Sequence, residues 1–159
     1  IDDPAIQHDM DAVKTRVEKF ATEYKGRVAQ LDAEEMMDAM IELEAIYDQG
    51  GRIGHFASLL YATDTNNAQY GAFIQKFTEY DSEIDQNLVF FGLEWNEQDD
   101  AAAQKLLSDP TVAKYRHKLE ADRRYKPFQL TELEEQLLTE KSVTGRSAWT
   151  RFFTQVIGT

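Results

Sequence analysis

The stretch DRRYKPFQLTELEEQLLTEKSVTGRSAWTRFF, residues 122–153, carries the clearest start and stop signals of the chain. Pro127 lacks a backbone N–H, and its ring excludes a helix that continues from upstream. Thr131 stands three residues before Glu134, the spacing of a capping box that begins a new helix. Gly145 offers a left-handed stop for that helix. The stretch therefore predicts a helix, a break and a second helix.

The apolar residues on both sides of Gly145 recur every three or four positions, as they do on one face of a helix. They are Leu130, Leu133, Leu137 and Leu138 before the glycine, and Trp149, Phe152, Phe153, Val156 and Ile157 after it. Two amphipathic helices are expected.

Composition excludes several classes of partner. The chain has 159 residues, 42% of them hydrophobic, and 17 basic against 29 acidic side chains give a net charge of −12. A chain of this length can bury about 70% of its unfolded surface in a single domain. A surface this acidic repels phosphate backbones and anionic lipids, so neither nucleic acid nor a membrane is expected as a partner.

Residue usage also indicates the compartment. The absence of cysteine excludes disulfides and thiolate metal sites and fits a cytoplasmic protein. The apolar run at residues 88–91 is too short to span a bilayer, and no signal peptide opens the chain. The first residue is isoleucine, from which we predict that the chain is a piece of a longer polypeptide.

The first half of the chain reads as successive helices. Asp3 and Pro4 form a helix start, and the apolar stripe behind them continues through Gly26 to about Leu31. A second capping box at Asp32 opens the next helix. That helix is expected to end at Gly50-Gly51, and a third helix to start near Arg52. Three more helices are expected at residues 67–91, 96–107 and 109–125.

The sequence has neither the period-two alternation of a strand nor an Asn-Gly type of turn, so no strand is predicted. The predicted fold is all-α: a bundle of about eight antiparallel helices without a sheet, forming one domain over residues 1–159.

Several phrases of the sequence resemble a known family. They are Phe56-Ala57-Ser58-Leu59-Leu60-Tyr61 with Asp64-Thr65, Leu93-Glu94-Trp95, the basic pair before Pro127, and Thr144-Gly145-Arg146-Ser147-Ala148-Trp149 before paired phenylalanines. This wording resembles the N-terminal, non-catalytic region of the oligoendopeptidase F group, which are thimet-oligopeptidase-like zinc metallopeptidases of family M3. The resemblance covers most of the chain.

The resemblance implies a function for the parent protein. The parent would be a zinc-dependent endopeptidase (a hydrolase in proteolysis) acting on oligopeptides, and this segment would be its N-terminal lobe. Such a lobe forms part of the substrate channel wall and restricts substrate size. The partners implied are the catalytic lobe of the same polypeptide and the oligopeptide substrates, and zinc is implied for the parent enzyme only.

No catalytic or metal-binding residue is assigned in this chain. A zinc peptidase of this kind needs two histidines one helical turn apart with a glutamate beside the first. His8, His55 and His117 form no such H-E-x-x-H motif. His117 and Glu120 have H-x-x-E spacing, which is more typical of a surface contact than of a metal site. The segment alone is expected to be inert.

Two apolar sets and the carboxylates have competing interpretations. The stripe Tyr70, Phe73, Phe77 and Phe91 has the spacing of a bundle core, which we favour over a peptide groove. Carboxylates such as Glu42, Glu44, Asp81, Glu83 and Asp85 are typical of a solvated face. Trp149, Phe152 and Phe153 would either pack on the missing catalytic lobe or join the local core.

Two other classes of function also fit the sequence. One is a stand-alone helical module that binds a protein or peptide in a groove and has no catalytic activity. The other is a helical domain of a different enzyme.

Overall fold

The fold of the protein, in a computed structural model, is all-α over the residues that the structure describes, which are Ile1 and residues 3–157. The helices are α1 (Pro4–Tyr24), α2 (Ala33–Thr63), α3 (Ala68–Glu97), α4 (Asp100–Ser108), α5 (Arg116–Arg123), α6 (Glu132–Ser142) and α7 (Ala148–Ile157). Short 3₁₀ turns lie at Val28–Gln30, Pro110–Val112 and Lys126–Phe128, and a π-helical turn at Val143–Ser147 joins α6 to α7.

The first two helices form the predicted antiparallel hairpin. Arg16 on α1 makes a two-pronged ion pair with Glu42 on α2, with both N–O distances 2.9 Å. Within the connection, Arg27 binds Glu35 in the first turn of α2 at 2.9 Å, so the two helices run in opposite directions. This pairing fixes how α1 and α2 lie side by side.

Helix α3 runs antiparallel to α2 and parallel to α1. Lys76 near its start binds Gln7 at 2.9 Å, and Tyr80 one turn later donates to the Met10 carbonyl at 3.1 Å. The core fills the space between these three long helices and is closed by α4, α5 and the turn between them. Its largest fully buried side chains are Trp95, Phe20, Phe90, Met36, Ile46 and Leu119.

Three of the predicted helix starts are confirmed in atomic detail. Asp3 accepts the Ala5 N–H at 2.9 Å, and Asp32 and Thr131 each form a complete capping box with the glutamate three residues later. Because a cap depends only on neighbouring residues, it can be read from the sequence without knowledge of the fold.

The prediction that α1 continues through Gly26 to Leu31 was wrong. Helix α1 ends at Tyr24, and Gly26 takes the left-handed conformation with φ +81°. The Glu94 carboxylate of α3 accepts the N–H groups of Gly26 and Val28 at 2.7 and 3.0 Å. The apolar stripe continues because a 3₁₀ turn carries Val28 into the same core.

The helix end predicted at Gly50-Gly51 was also wrong, because α2 passes through both glycines and includes the predicted third helix. A glycine in a helix costs about 1 kcal/mol relative to alanine, which packing of a 31-residue helix on its neighbours outweighs. Gly145 likewise does not stop α6; it lies in the π turn, so residues 132–157 form one uninterrupted helical run.

Other boundaries moved by a few residues. Helix α3 extends through Gly92 to Glu97, and the following helix begins at Asp100 behind an Asp99 cap rather than at Asn96. When residues 132–157 are counted as one, the described part of the chain has six helices, compared with about eight predicted. Within those same residues, no helix is both long enough and apolar enough to cross a bilayer.

Two glycines of α2 predict opposite effects of the same substitution. A Cβ on Gly54 would lie 2.6 Å from two ring carbons of Phe77, whereas one on Gly51 would meet nothing within 4 Å. Gly54→Ala should therefore lower the free energy of unfolding by about 1–2 kcal/mol through overpacking. Gly51→Ala should raise it by about 0.5–1 kcal/mol. Urea unfolding followed by circular dichroism measures both, and a gain for Gly54→Ala would contradict the close α2–α3 packing.

Candidate functional site

The C-terminal helical run presents an unusually apolar outer face. None of the residues of α6 or α7 is buried. The side chains of Leu133 and Trp149 are 76% and 72% exposed. The other exposed large apolar side chains of this run are Leu137, Leu138, Phe152, Phe153, Val156 and Ile157. We call this set the C-terminal apolar face.

Polar contacts attach the run to α3 along its inner side. Ser82 of α3 donates to the Thr139 carbonyl at 3.3 Å, and Gln136 donates to the Gln86 carbonyl at 3.4 Å. Farther along, Arg151 of α7 hydrogen-bonds the side chain of Gln75. A helix held by polar groups on its inner side leaves its apolar residues without the cover that an amphipathic helix normally finds.

The three residues singled out as an interface lie on this face. Trp149 packs edge-on against Phe152 with ring centroids 6.1 Å apart, and Phe152 and Phe153 are 57% and 63% exposed. None of the three joins the core, so the alternative of local core packing is not what the fold shows. That they contact a catalytic lobe stays a prediction.

A second surface feature is a cleft of about 690 Å³ between α2, α3, α5 and α6, which we call the acidic cleft. Its floor is apolar and includes Leu43, Leu88 and Phe91. Tyr125 and Phe128, which are 71% and 77% exposed, also line it. Its charged lining residues are Glu44, Asp85, Lys118, Asp122 and Glu135.

Only part of this negative charge is balanced within the chain. Glu44 binds Lys114, and its hydrogen bonds with Lys114 and then Tyr115 lower the pKa of Glu44. Asp122 likewise binds Lys118. Asp85 makes no hydrogen bond or ion pair with any described residue.

The environment of Asp85 disfavours its charged form. Desolvation, together with the nearby Asp81 carboxylate, raises the pKa of Asp85 to about 6, and desolvation also raises the pKa of Asp81. The Asp85 side chain is nevertheless open to the cleft. A cation placed beside it would relieve this cost.

Two amide oxygens in the cleft also have no partner. Asn96, which is 6% exposed, donates weakly to the Asp122 carbonyl at 3.5 Å, while its Oδ1 accepts no hydrogen bond from the described residues. Gln129 donates to the Leu93 carbonyl at 3.3 Å, and its Oε1 is buried without a donor. Buried oxygens normally find donors, so these two side chains would gain a hydrogen bond if they turned toward a donor in the cleft.

The sequence did not reveal the cleft. Asp85 was interpreted as part of a solvated face, and Asn96 was placed at a helix start. The lining comes from four helices that the chain order does not bring together, and no local pattern signals which carboxylates will lack a lysine.

The aromatic stripe is mainly core, as favoured. Phe73 and Phe91 are buried, and Phe77 packs against the core. The described residues contain no group of three or more potential metal ligands. His8, His55 and His117 are exposed on three different helices, α1, α2 and α5.

The comparison with protein families concerns the second half of the chain. The N-terminal model of peptidase family M3, described as Oligopeptidase F, matches residues 94–159. This segment is similar to the N-terminal region of oligopeptidase F. No curated protein and no solved structure matches the chain at a significant level.

The matched segment begins at Glu94, inside α3, and includes α4 to α7 with the C-terminal apolar face. It contains the resembling phrases from Glu94 onward, whereas the Phe56–Tyr61 phrase in α2 lies outside the matched range. The acidic cleft is lined both by residues of the matched segment and by residues that precede it.

Proposed function

We propose that the chain is the N-terminal, non-catalytic lobe of a zinc-dependent metalloendopeptidase that cleaves oligopeptides in the cytoplasm. The observation that carries this proposal is the match of residues 94–159 to the oligopeptidase F N-terminal model. The lobe would form part of the wall of the substrate channel and restrict the size of the peptides that enter it. Catalysis belongs to another lobe of the same polypeptide, since this sequence has no H-E-x-x-H motif.

Zinc enters this proposal only through that other lobe, where it would activate the attacking water. No reaction step is assigned to a residue of this chain. In this proposal the chain shapes the substrate channel and attaches to the catalytic lobe.

The C-terminal apolar face supports the attachment. Trp149, Phe152 and Phe153 are aromatic and exposed, the composition found at the buried centre of protein interfaces. Contiguous exposed apolar patches are rare on monomers and mark interaction surfaces. The occupant that we propose is the catalytic lobe.

Reading the gene beyond Thr159 tests the proposal most directly. An H-E-x-x-H sequence downstream is the expected result. A stop codon shortly after Thr159 would contradict it and favour a stand-alone helical module that binds a protein or peptide.

Protein chemistry supplies a second test on the full-length enzyme. Replacing both Phe152 and Phe153 by serine should loosen the lobe contact and speed proteolytic cleavage between the lobes. The matched control is Leu59→Ser, which changes a 70% exposed apolar residue on α2, outside the apolar face. Equal cleavage rates for both variants would contradict docking through this face.

A further inference from the structure

The acidic cleft combines a long apolar floor with oxygen atoms that lack donors. Leu43, Leu88 and Phe91 provide the floor, and Asn96 and Gln129 provide the unpartnered amide oxygens. Every unsatisfied side-chain atom named here is a hydrogen-bond acceptor. A ligand that fits must therefore bring several donors.

The charge of the cleft adds a second condition. Asp85 has no counterion among the described residues, and Asp81 stands close enough to raise its pKa. Glu135 accepts only a backbone N–H, that of Leu130 at 3.1 Å. The two lysines near the cleft are already bound to Glu44 and Asp122. The ligand should be a cation.

We propose that the acidic cleft binds an arginine or lysine side chain of a peptide, with the aliphatic stem on the apolar floor and the cationic head beside the Asp85 carboxylate, where the Asn96 and Gln129 amide oxygens would accept its remaining donors once those side chains turn toward the cleft. A guanidinium brings five donors and no acceptor, and an ammonium brings three. Long cationic side chains bury their methylene stems on apolar surfaces while the head keeps polar partners.

The rings at the cleft favour a peptide over a small free cation. Tyr125 and Phe128 stand mostly exposed beside the acceptors, where they can contact a peptide backbone or the neighbouring side chain. A volume of about 690 Å³ also exceeds the room that one cationic side chain needs. Binding of a cationic side chain in the cleft depends only on this chain. The further idea that the cleft selects basic peptide substrates rests on the proposed function.

The test uses a pair of fluorescently labelled pentapeptides, acetyl-Ala-Ala-Arg-Ala-Ala-amide and its citrulline counterpart. Citrulline keeps the shape of arginine but is neutral. Fluorescence polarisation at low salt and pH 7.5 should give an affinity for the arginine peptide about tenfold higher, the size of one charge-assisted contact. Equal affinities would overturn the proposal.

Two variants locate the site. Asp85→Asn should remove most of the preference for arginine, while Asp38→Asn should retain it. Asp38 is an exposed α2 carboxylate that makes no hydrogen bond with the described residues and does not line the cleft. Equal losses would show that binding follows net charge and would overturn the cleft assignment. Circular dichroism confirms that both variants are folded.

The outcome is distinguishable from failure of the proposed function. Loss of arginine preference in Asp85→Asn supports the cleft even if the gene encodes no downstream catalytic lobe. An H-E-x-x-H sequence downstream supports the peptidase even if the two pentapeptides bind equally.

Discussion

Replacing Trp95 by alanine is expected to lower the free energy of unfolding by about 4 kcal/mol, the largest effect of any single truncation proposed here. The indole is fully buried, and its Nε1 donates to the Leu119 carbonyl at 3.0 Å. The guanidinium of Arg123 lies 5.2 Å from the ring centroid and also donates to the Trp95 carbonyl at 2.9 Å. The truncation would leave a cavity at the junction of α3 and α5 and remove the hydrogen bond from the indole to the Leu119 carbonyl.

The second tryptophan is the matched control. Trp149 is 72% exposed on the C-terminal apolar face, so Trp149→Ala should change the free energy of unfolding by no more than about 0.5 kcal/mol. Urea titrations monitored by far-ultraviolet circular dichroism compare the two variants. A loss of several kcal/mol in Trp149→Ala would show that the ring belongs to the core and would remove the reason to propose docking.

The next largest effect is expected at Glu94. Its two carboxylate oxygens accept the N–H groups of Gly26 and Val28, which hold the turn between α1 and α2 against α3. Hydrogen bonds to a charged group are among the stronger ones, and Val28 is fully buried, so its N–H would lose its partner away from water. Glu94→Ala should therefore cost about 2–3 kcal/mol.

Glu97 provides the comparison for Glu94 on the same helix. Its side chain is exposed and makes no hydrogen bond with the described residues. Glu97→Ala should leave the free energy of unfolding within about 0.5 kcal/mol of the parent value. If the two variants have the same stability in urea, the carboxylate does not fix the turn, and the left-handed Gly26 must be sufficient.

The sequence predicted helices and their beginnings more reliably than their ends. The caps at Asp3, Asp32 and Thr131 are satisfied within a few residues, so nothing distant alters them. A glycine predicts the end of a helix less reliably, because its conformation depends on contacts with distant residues. Gly26 is left-handed in a turn whose N–H groups bind Glu94, 68 residues away in the chain, whereas Gly51 stays helical within the long α2.

The C-terminal apolar face and the acidic cleft also differ in how far the sequence predicts them. The C-terminal apolar face lies within one stretch of sequence, so its residues could be named from their spacing. The acidic cleft depends on which carboxylates pair with a lysine after folding: Glu44 pairs with Lys114, while Asp85 has no such partner among the described residues. Such pairing is a property of the assembled helices.

The uninterrupted helix over residues 132–157 spans both surfaces. At about 1.5 Å per residue it measures roughly 39 Å, and the π turn changes its phase. Phe152 and Phe153 of the C-terminal apolar face and Glu135 and Thr139 of the acidic cleft therefore belong to one element. A body docked on the two phenylalanines would sit on the same helix that borders the cleft.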